Sequence, residues 1–136
     1  METFTLENDI ALCAVKAKSF PDGIMAAFGE LSAKLPDPHG RGMYYGLSRP
    51  EDGEPVVYYA AVEEKKEGEA EQLGMKHIII KKGTYIYRDI TDYMQDVPVI
   101  GKTFMEMIHE PGIDPNGYCV EMYTSQKDVR CMVRMA

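Results

Sequence analysis

Glu121 is the lone charged residue in an otherwise apolar run, Cys119-Val120-Glu121-Met122-Tyr123. A carboxylate in such a strand is costly to bury unless it stays protonated or meets a cation, and a ligand can be that cation. A plainer arrangement is also open: the strand has one wet face and Glu121 pairs with Arg130 or Arg134 across a hairpin, for ~0.5 kcal/mol. Tyrosine is abundant, with nine residues against no tryptophan. Side chains alternate across a strand, so Cys119, Glu121 and Tyr123 share a face, as do Tyr85 and Tyr87. Tyrosine rings beside one carboxylate suit a flat, apolar or cationic ligand, although aromatics also favour strands for packing alone. Met105, Met107, Met122 and Met132 can fill a core or adapt one pocket to several shapes.

Other chemistry finds little purchase. His39, His77 and His109 lack HxH or HExxH spacing and have no cysteine partner, so no metal is expected. The glycines form neither a GxxxxGK[ST] loop nor a GxGxxG turn, no GxSxG elbow is present, and no cofactor is implied. Cys13, Cys119 and Cys131 are odd in number, sit in apolar runs and read as buried free thiols.

The elements that must position these groups follow from pattern. Ile10 to Ala17 reads as a central strand, apolar on both faces. Ile24, Ala27, Phe28, Leu31 and Leu35 recur at helical spacing after Pro21-Asp22, and Pro36, Pro38 and Gly40 stop the run. Met43 to Ser48 and Val56 to Glu63 form a hairpin about Arg49-Pro50-Glu51-Asp52-Gly53. Glu63 to Gly74, charged and Gly-punctuated, reads as a solvated connector. His77 to Lys81 and Thr84 to Arg88 read as one long strand with a bulge at Gly83. A second helix is predicted from about Pro98 to His109, and strands Tyr118 to Tyr123 and Val129 to Met135 close the chain. The order is β-α-β-β twice, over about 4–63 and 75–136. Neither half can bury its sheet alone, so the expectation is an α+β fold of tandem modules, with antiparallel sheets and two helices around a central cleft.

The 136 residues suit one domain. A net charge of -7 with no segregated basic patch disfavours direct nucleic-acid binding. No apolar run approaches the roughly 20 residues that span a bilayer, and Met1-Glu2-Thr3-Phe4 lacks a signal-peptide start, so a cytoplasmic location away from membranes is expected.

Four segments in order resemble one family: Ser19-Phe20-Pro21-Asp22-Gly23-Ile24, Tyr45-Gly46-Leu47-Ser48, Tyr58-Tyr59-Ala60-Ala61-Val62-Glu63 and Tyr118-Cys119-Val120-Glu121-Met122-Tyr123. From about Phe4 to Met135 the chain is similar to the GyrI-like effector-binding domains. The resemblance implies a central pocket with Glu121 as its acid, walled by Tyr85, Tyr87, Phe104 and Tyr44 or Tyr45, with Met107 and Tyr123 beside them. Family members bind lipophilic cations or other drug-like compounds. Some are linked to gyrase protection, and some hydrolyse strained electrophiles with a pocket glutamate and tyrosine. Family pockets often include tryptophan, which this chain lacks. Three functions therefore stay open: capture of a hydrophobic, cationic small molecule, hydrolysis through Glu121 and a tyrosine, or partnership with a separate regulator or with DNA gyrase.

Overall fold

In the computed structural model, which describes residues 1–136, all eight strands join one antiparallel sheet. The strands are β1 (Glu2–Leu6), β2 (Ile10–Lys16), β3 (Tyr44–Glu51), β4 (Glu54–Glu63), β5 (Lys76–Ile80), β6 (Gly83–Ile90), β7 (Cys119–Tyr123) and β8 (Val129–Arg134). Their spatial order is β1-β6-β8-β7-β3-β4-β2-β5. The α+β class is as expected, and the two small sheets anticipated from sequence merge through the β3–β7 pairing.

Helix α1 (Ile24–Lys34) packs on β2 and β4, and helix α3 (Pro98–Met107) packs on β6 and β8. Ala27 and Leu31 put the apolar stripe of α1 onto Cys13, Val15, Ala60 and Val62, and Phe104 and Met107 put that of α3 onto Ile86, Cys131 and Val133. Each helix thus covers one half of the same sheet face, and the β3–β7 seam lies between them. The other face curls on itself, packing Leu12, Leu47, Tyr59, Ile78, Tyr85, Val120 and Met132 into a core drawn from seven strands. No helix is long and apolar enough to cross a membrane.

Three sequence readings need correction. Residues 76–90 are two strands, because β5 pairs with β2 at one end of the sheet while β6 pairs with β1 and β8 near the other. Gly83, at φ 140°, opens β6 as the chain crosses between those partners. The segment Glu2–Leu6 forms an edge strand that pattern did not mark. The connector 63–74 is docked: it contains the four-residue helix α2 (Glu69–Gln72), whose Glu69 and Ala70 are buried. Arg41 grips Glu69 with both terminal nitrogens, Nη1 donating to Oε1 at 2.7 Å and Nη2 to Oε2, and its Nε donates to Asp37 Oδ1 at 2.8 Å. This pairing holds the Glu69 carboxyl down at about 2, against the cost of its burial.

Candidate functional site

The seam between the helices is built from two paired strands. Tyr44, Gly46 and Ser48 of β3 lie opposite Tyr123, Glu121 and Cys119 of β7. Strand alternation turns all six toward the helices, so the sheet carries one carboxylate at the centre of its covered face. Opposite that carboxylate stands the one residue without a side chain. A Cβ on Gly46 would lie 2.1 Å from Tyr58 Oη and 2.5 Å from Glu121 Oε1, so glycine is what admits the pair.

Glu121 is 8% exposed. Its Oε1 accepts hydrogen bonds from Tyr58 Oη at 2.9 Å and Tyr123 Oη at 2.5 Å. The cross-hairpin ion pair considered from sequence does not form. The register sets Cys131 opposite Glu121, Arg130 forks onto Asp89 at 2.7 and 3.0 Å, and Arg134 points to Asp114. Burial raises the Glu121 carboxyl above the ordinary range, opposed by the two tyrosine hydrogen bonds. Burial and then the Glu121 charge push both tyrosine hydroxyls up, and the Cys131 thiol to about 12. The tyrosines therefore stay neutral donors, and Cys131 is no nucleophile.

Rings close over the carboxyl. Phe28 of α1 reaches the three tyrosines around Glu121, with centroids 6.1 Å from Tyr123, 6.4 Å from Tyr58 and 6.5 Å from Tyr44. Phe20 stacks on Tyr58 at 5.8 Å, and Tyr93 leans on Tyr123 at 5.5 Å. Glu121 thus lies beneath its own aromatic neighbours. Two surface hollows, of about 200 and 430 Å³, lie elsewhere and do not include Glu121. Chemically, the arrangement offers a carboxyl in dry surroundings, hydroxyl donors on one of its oxygens, and aromatic faces that attract a cation.

Of the residues singled out from sequence, Tyr123 bonds Glu121, and Tyr44 lies on the same face beside Tyr123 with its hydroxyl on Pro38 O and its ring near Phe28. Phe104 and Met107 belong to α3 and pack from it onto Cys131 on the same sheet face. Tyr45, Tyr85 and Tyr87 are not brought to the site. Tyr45 pairs with Met122 and Tyr85 with Arg134, which turns them to the opposite face; Tyr45 and Tyr85 are buried in the curled core, and Tyr87 packs on Phe4 beside it. Sequence reasoning missed Tyr58, Phe28, Phe20 and Tyr93. Gly46 was the available signal, since a glycine inside a strand marks a close approach.

No family model matches the sequence, and no curated protein matches it. Solved structures do share the fold. An integron cassette protein from the mobile metagenome of Vibrio cholerae superposes with a TM-score of 0.69 at 15% identity, covering 99% of this chain and 95% of that one. The protein SAV2435, solved with tetraphenylphosphonium bound, gives 0.64 at 14% identity over 99% and 93% of the two chains. A hydrolase from Listeria innocua gives 0.54 at 11% identity over 99% and 90%. At such identities the likeness is one of fold.

Proposed function

We propose that the chain is a single GyrI-like effector-binding domain that takes a hydrophobic organic cation at Glu121. The observation that carries this is a buried carboxyl with no cationic side chain beside it, held by two tyrosine hydroxyls in a ring-lined seam. A lipophilic cation meets each feature: its charge compensates the carboxylate, its apolar body replaces Phe28, and the ring faces add cation–π attraction. The tetraphenylphosphonium bound by SAV2435, a protein of the same fold, is a ligand of this kind.

Calorimetric titration with tetraphenylphosphonium tests the reading, with triphenylphosphine oxide as a neutral ligand of similar bulk. The cation should bind saturably and more tightly. Glu121→Gln should weaken the cation by about tenfold to a hundredfold, the range for a lost charged contact, while leaving the neutral ligand unaffected. Equal affinity for both ligands, or a Glu121→Gln variant that binds the cation as well as the parent, sinks the proposal.

A second reading uses the same groups for hydrolysis, with Glu121 orienting water and a tyrosine hydroxyl polarising the leaving atom. The short Tyr123–Glu121 contact and the fold shared with a hydrolase favour it. Its mark is product from an epoxide, lost in both Glu121→Gln and Tyr123→Phe.

A further inference from the structure

The face of the sheet turned away from Glu121 carries a hollow of its own. At one end of the curled core a cavity of about 200 Å³ opens, with Ile80, Tyr85 and Val120 as a floor that is at most 3% exposed. At ~30 Å³ per water this is room for roughly seven, enough for a single substituted ring. Strand register brings the charged rim together. Leu47 pairs with Val120, so Arg49 lies two residues further along β3 on the same face, and Arg134 pairs with Tyr85.

Arg49, Lys81 and Arg134 line this cavity with one carboxylate, Asp114, and a second, Glu51, pairs with Arg49 from outside the lining, which leaves three cations against two acids. In a chain of net charge -7 that is a local inversion of sign. Both guanidinium groups are fixed by the protein yet keep free donors. Arg49 donates through Nε to Glu51 Oε2 at 2.8 Å and through Nη1 to Asn116 O at 2.9 Å, and lies 4.0 Å over the Tyr118 ring. Arg134 donates through Nε to Lys82 O at 3.0 Å and through Nη1 to Met135 O at 3.4 Å, with Asp114 Oδ2 3.6 Å from Nη1. A guanidinium has five N–H donors, so the Nη2 group of each remains available, and Lys81 Nζ has no hydrogen bond or ion pair. Cations held in place beside a dry apolar floor recognise a planar anion attached to a small apolar body.

We propose that this cavity is a second ligand site, selective for a small aromatic carboxylate, on the opposite face of the sheet from the cation site and independent of it. The carboxylate meets the free guanidinium donors of Arg49 and Arg134 while the ring lies on Ile80, Tyr85 and Val120.

Benzoate and its neutral counterpart benzamide test this on the uniformly 15N-labelled chain. Benzoate should shift the amides of Lys81, Gly117, Tyr118, Val120 and Arg134 and saturate with a Kd of ~1 mM or tighter, whereas benzamide should leave them in place. Arg134→Gln should weaken benzoate by at least about tenfold. Lys81→Gln, which breaks no side-chain hydrogen bond or ion pair, should weaken it by about two- to fivefold and keeps the test decisive if Arg134→Gln does not fold. Glu121→Gln should leave benzoate binding unchanged, whatever it does to cations. Equal shifts from benzamide, shifts that never saturate or centre elsewhere, or loss of benzoate binding in Glu121→Gln overturns the proposal.

Discussion

Gly46→Ala adds one methyl group where the structure has no room for it. The new carbon would lie 2.1 Å from Tyr58 Oη, 2.8 Å from Tyr58 Cζ and 2.5 Å from Glu121 Oε1. Tyr58 is 1% exposed and Glu121 8% exposed, so neither group can swing into solvent to relieve the overlap. Gly46 has no positive φ, so the backbone tolerates alanine and the effect is steric. Overpacking a filled core costs about 1–3 kcal/mol, and parting Tyr58 from the buried carboxyl costs about 1–3 kcal/mol more. The stiffer unfolded chain returns about 0.4–1 kcal/mol. The net loss is about 3 kcal/mol. With an unfolding entropy of ~2.1 cal/mol/K per residue, this lowers Tm by about 10 °C for a chain of this length. Scanning calorimetry reads the shift directly, and a parallel titration with tetraphenylphosphonium should show the proposed cation site impaired. Adding Tyr58→Phe removes the atom nearest the new methyl, so the two changes together should cost less than their separate effects imply. A Gly46→Ala chain melting within about 2 °C of the parent, with cation binding intact, would refute the geometry on which the site rests.

Two further outcomes follow from the same site. Burial raises the Glu121 carboxyl, so the folded chain holds its proton to higher pH than the unfolded one, and the associated stability is present at low pH and fades as pH rises through the folded-state value. The Tm of Glu121→Gln should therefore gain on that of the parent as pH climbs above the ordinary carboxyl value of 4.5, while cation affinity in the parent climbs with it; melting curves that stay parallel count against a buried titrating carboxyl. Phe28→Ala removes the half-buried ring that meets three tyrosines, which should destabilise the fold by about 2 kcal/mol yet tighten tetraphenylphosphonium binding, since less has to move; weaker binding instead would make Phe28 part of the ligand surface.

Much of this architecture is written in local pattern. Ile24, Ala27, Phe28 and Leu31 mark a helix face whatever lies beneath it, and Glu121 is conspicuous because a carboxylate breaks an apolar strand. What pattern does not carry is the partner of each strand. Alternation tells which residues of one strand share a face, but the register between strands decides which face that is. Both faces of this sheet are covered and both carry tyrosine, Tyr44, Tyr58 and Tyr123 on one and Tyr45, Tyr59, Tyr85 and Tyr87 on the other. Tyr45, Tyr85 and Tyr87 went to the curled core for that reason, and Tyr58 joined Glu121 only through the pairing of Ser48 with Tyr58. Residues 76–90 can be read as one strand because the polar break Lys81-Lys82-Gly83 suits a bulge as well as a crossing, and only the pairing shows that the core-facing residues pass from Ile78 and Ile80 on one strand to Tyr85 and Tyr87 on another. The acidic stretch 63–72 looked solvated because Arg41, which buries Glu69, lies 28 residues away in sequence.

The filled seam and the raised carboxyl are two aspects of one equilibrium. With Phe28 seated, Glu121 is in apolar surroundings with only hydroxyls for partners, and the neutral acid is the cheaper form. On the proposed function, a cation entering between the helices would displace the ring and favour the carboxylate, so that opening, cation binding and proton release would be linked. The affinity observed for any cation is then its intrinsic affinity reduced by the fraction of chains that are open and ionised. By reciprocity, whatever raises that fraction tightens binding by the same factor, whether the cause is higher pH or a smaller residue at position 28. Tetraphenylphosphonium titrated across pH into the parent and into Phe28→Ala should therefore show both effects, and they should multiply if the ring and the proton act separately. If loss of the ring instead abolishes the pH dependence, Phe28 itself is what keeps the Glu121 carboxyl protonated.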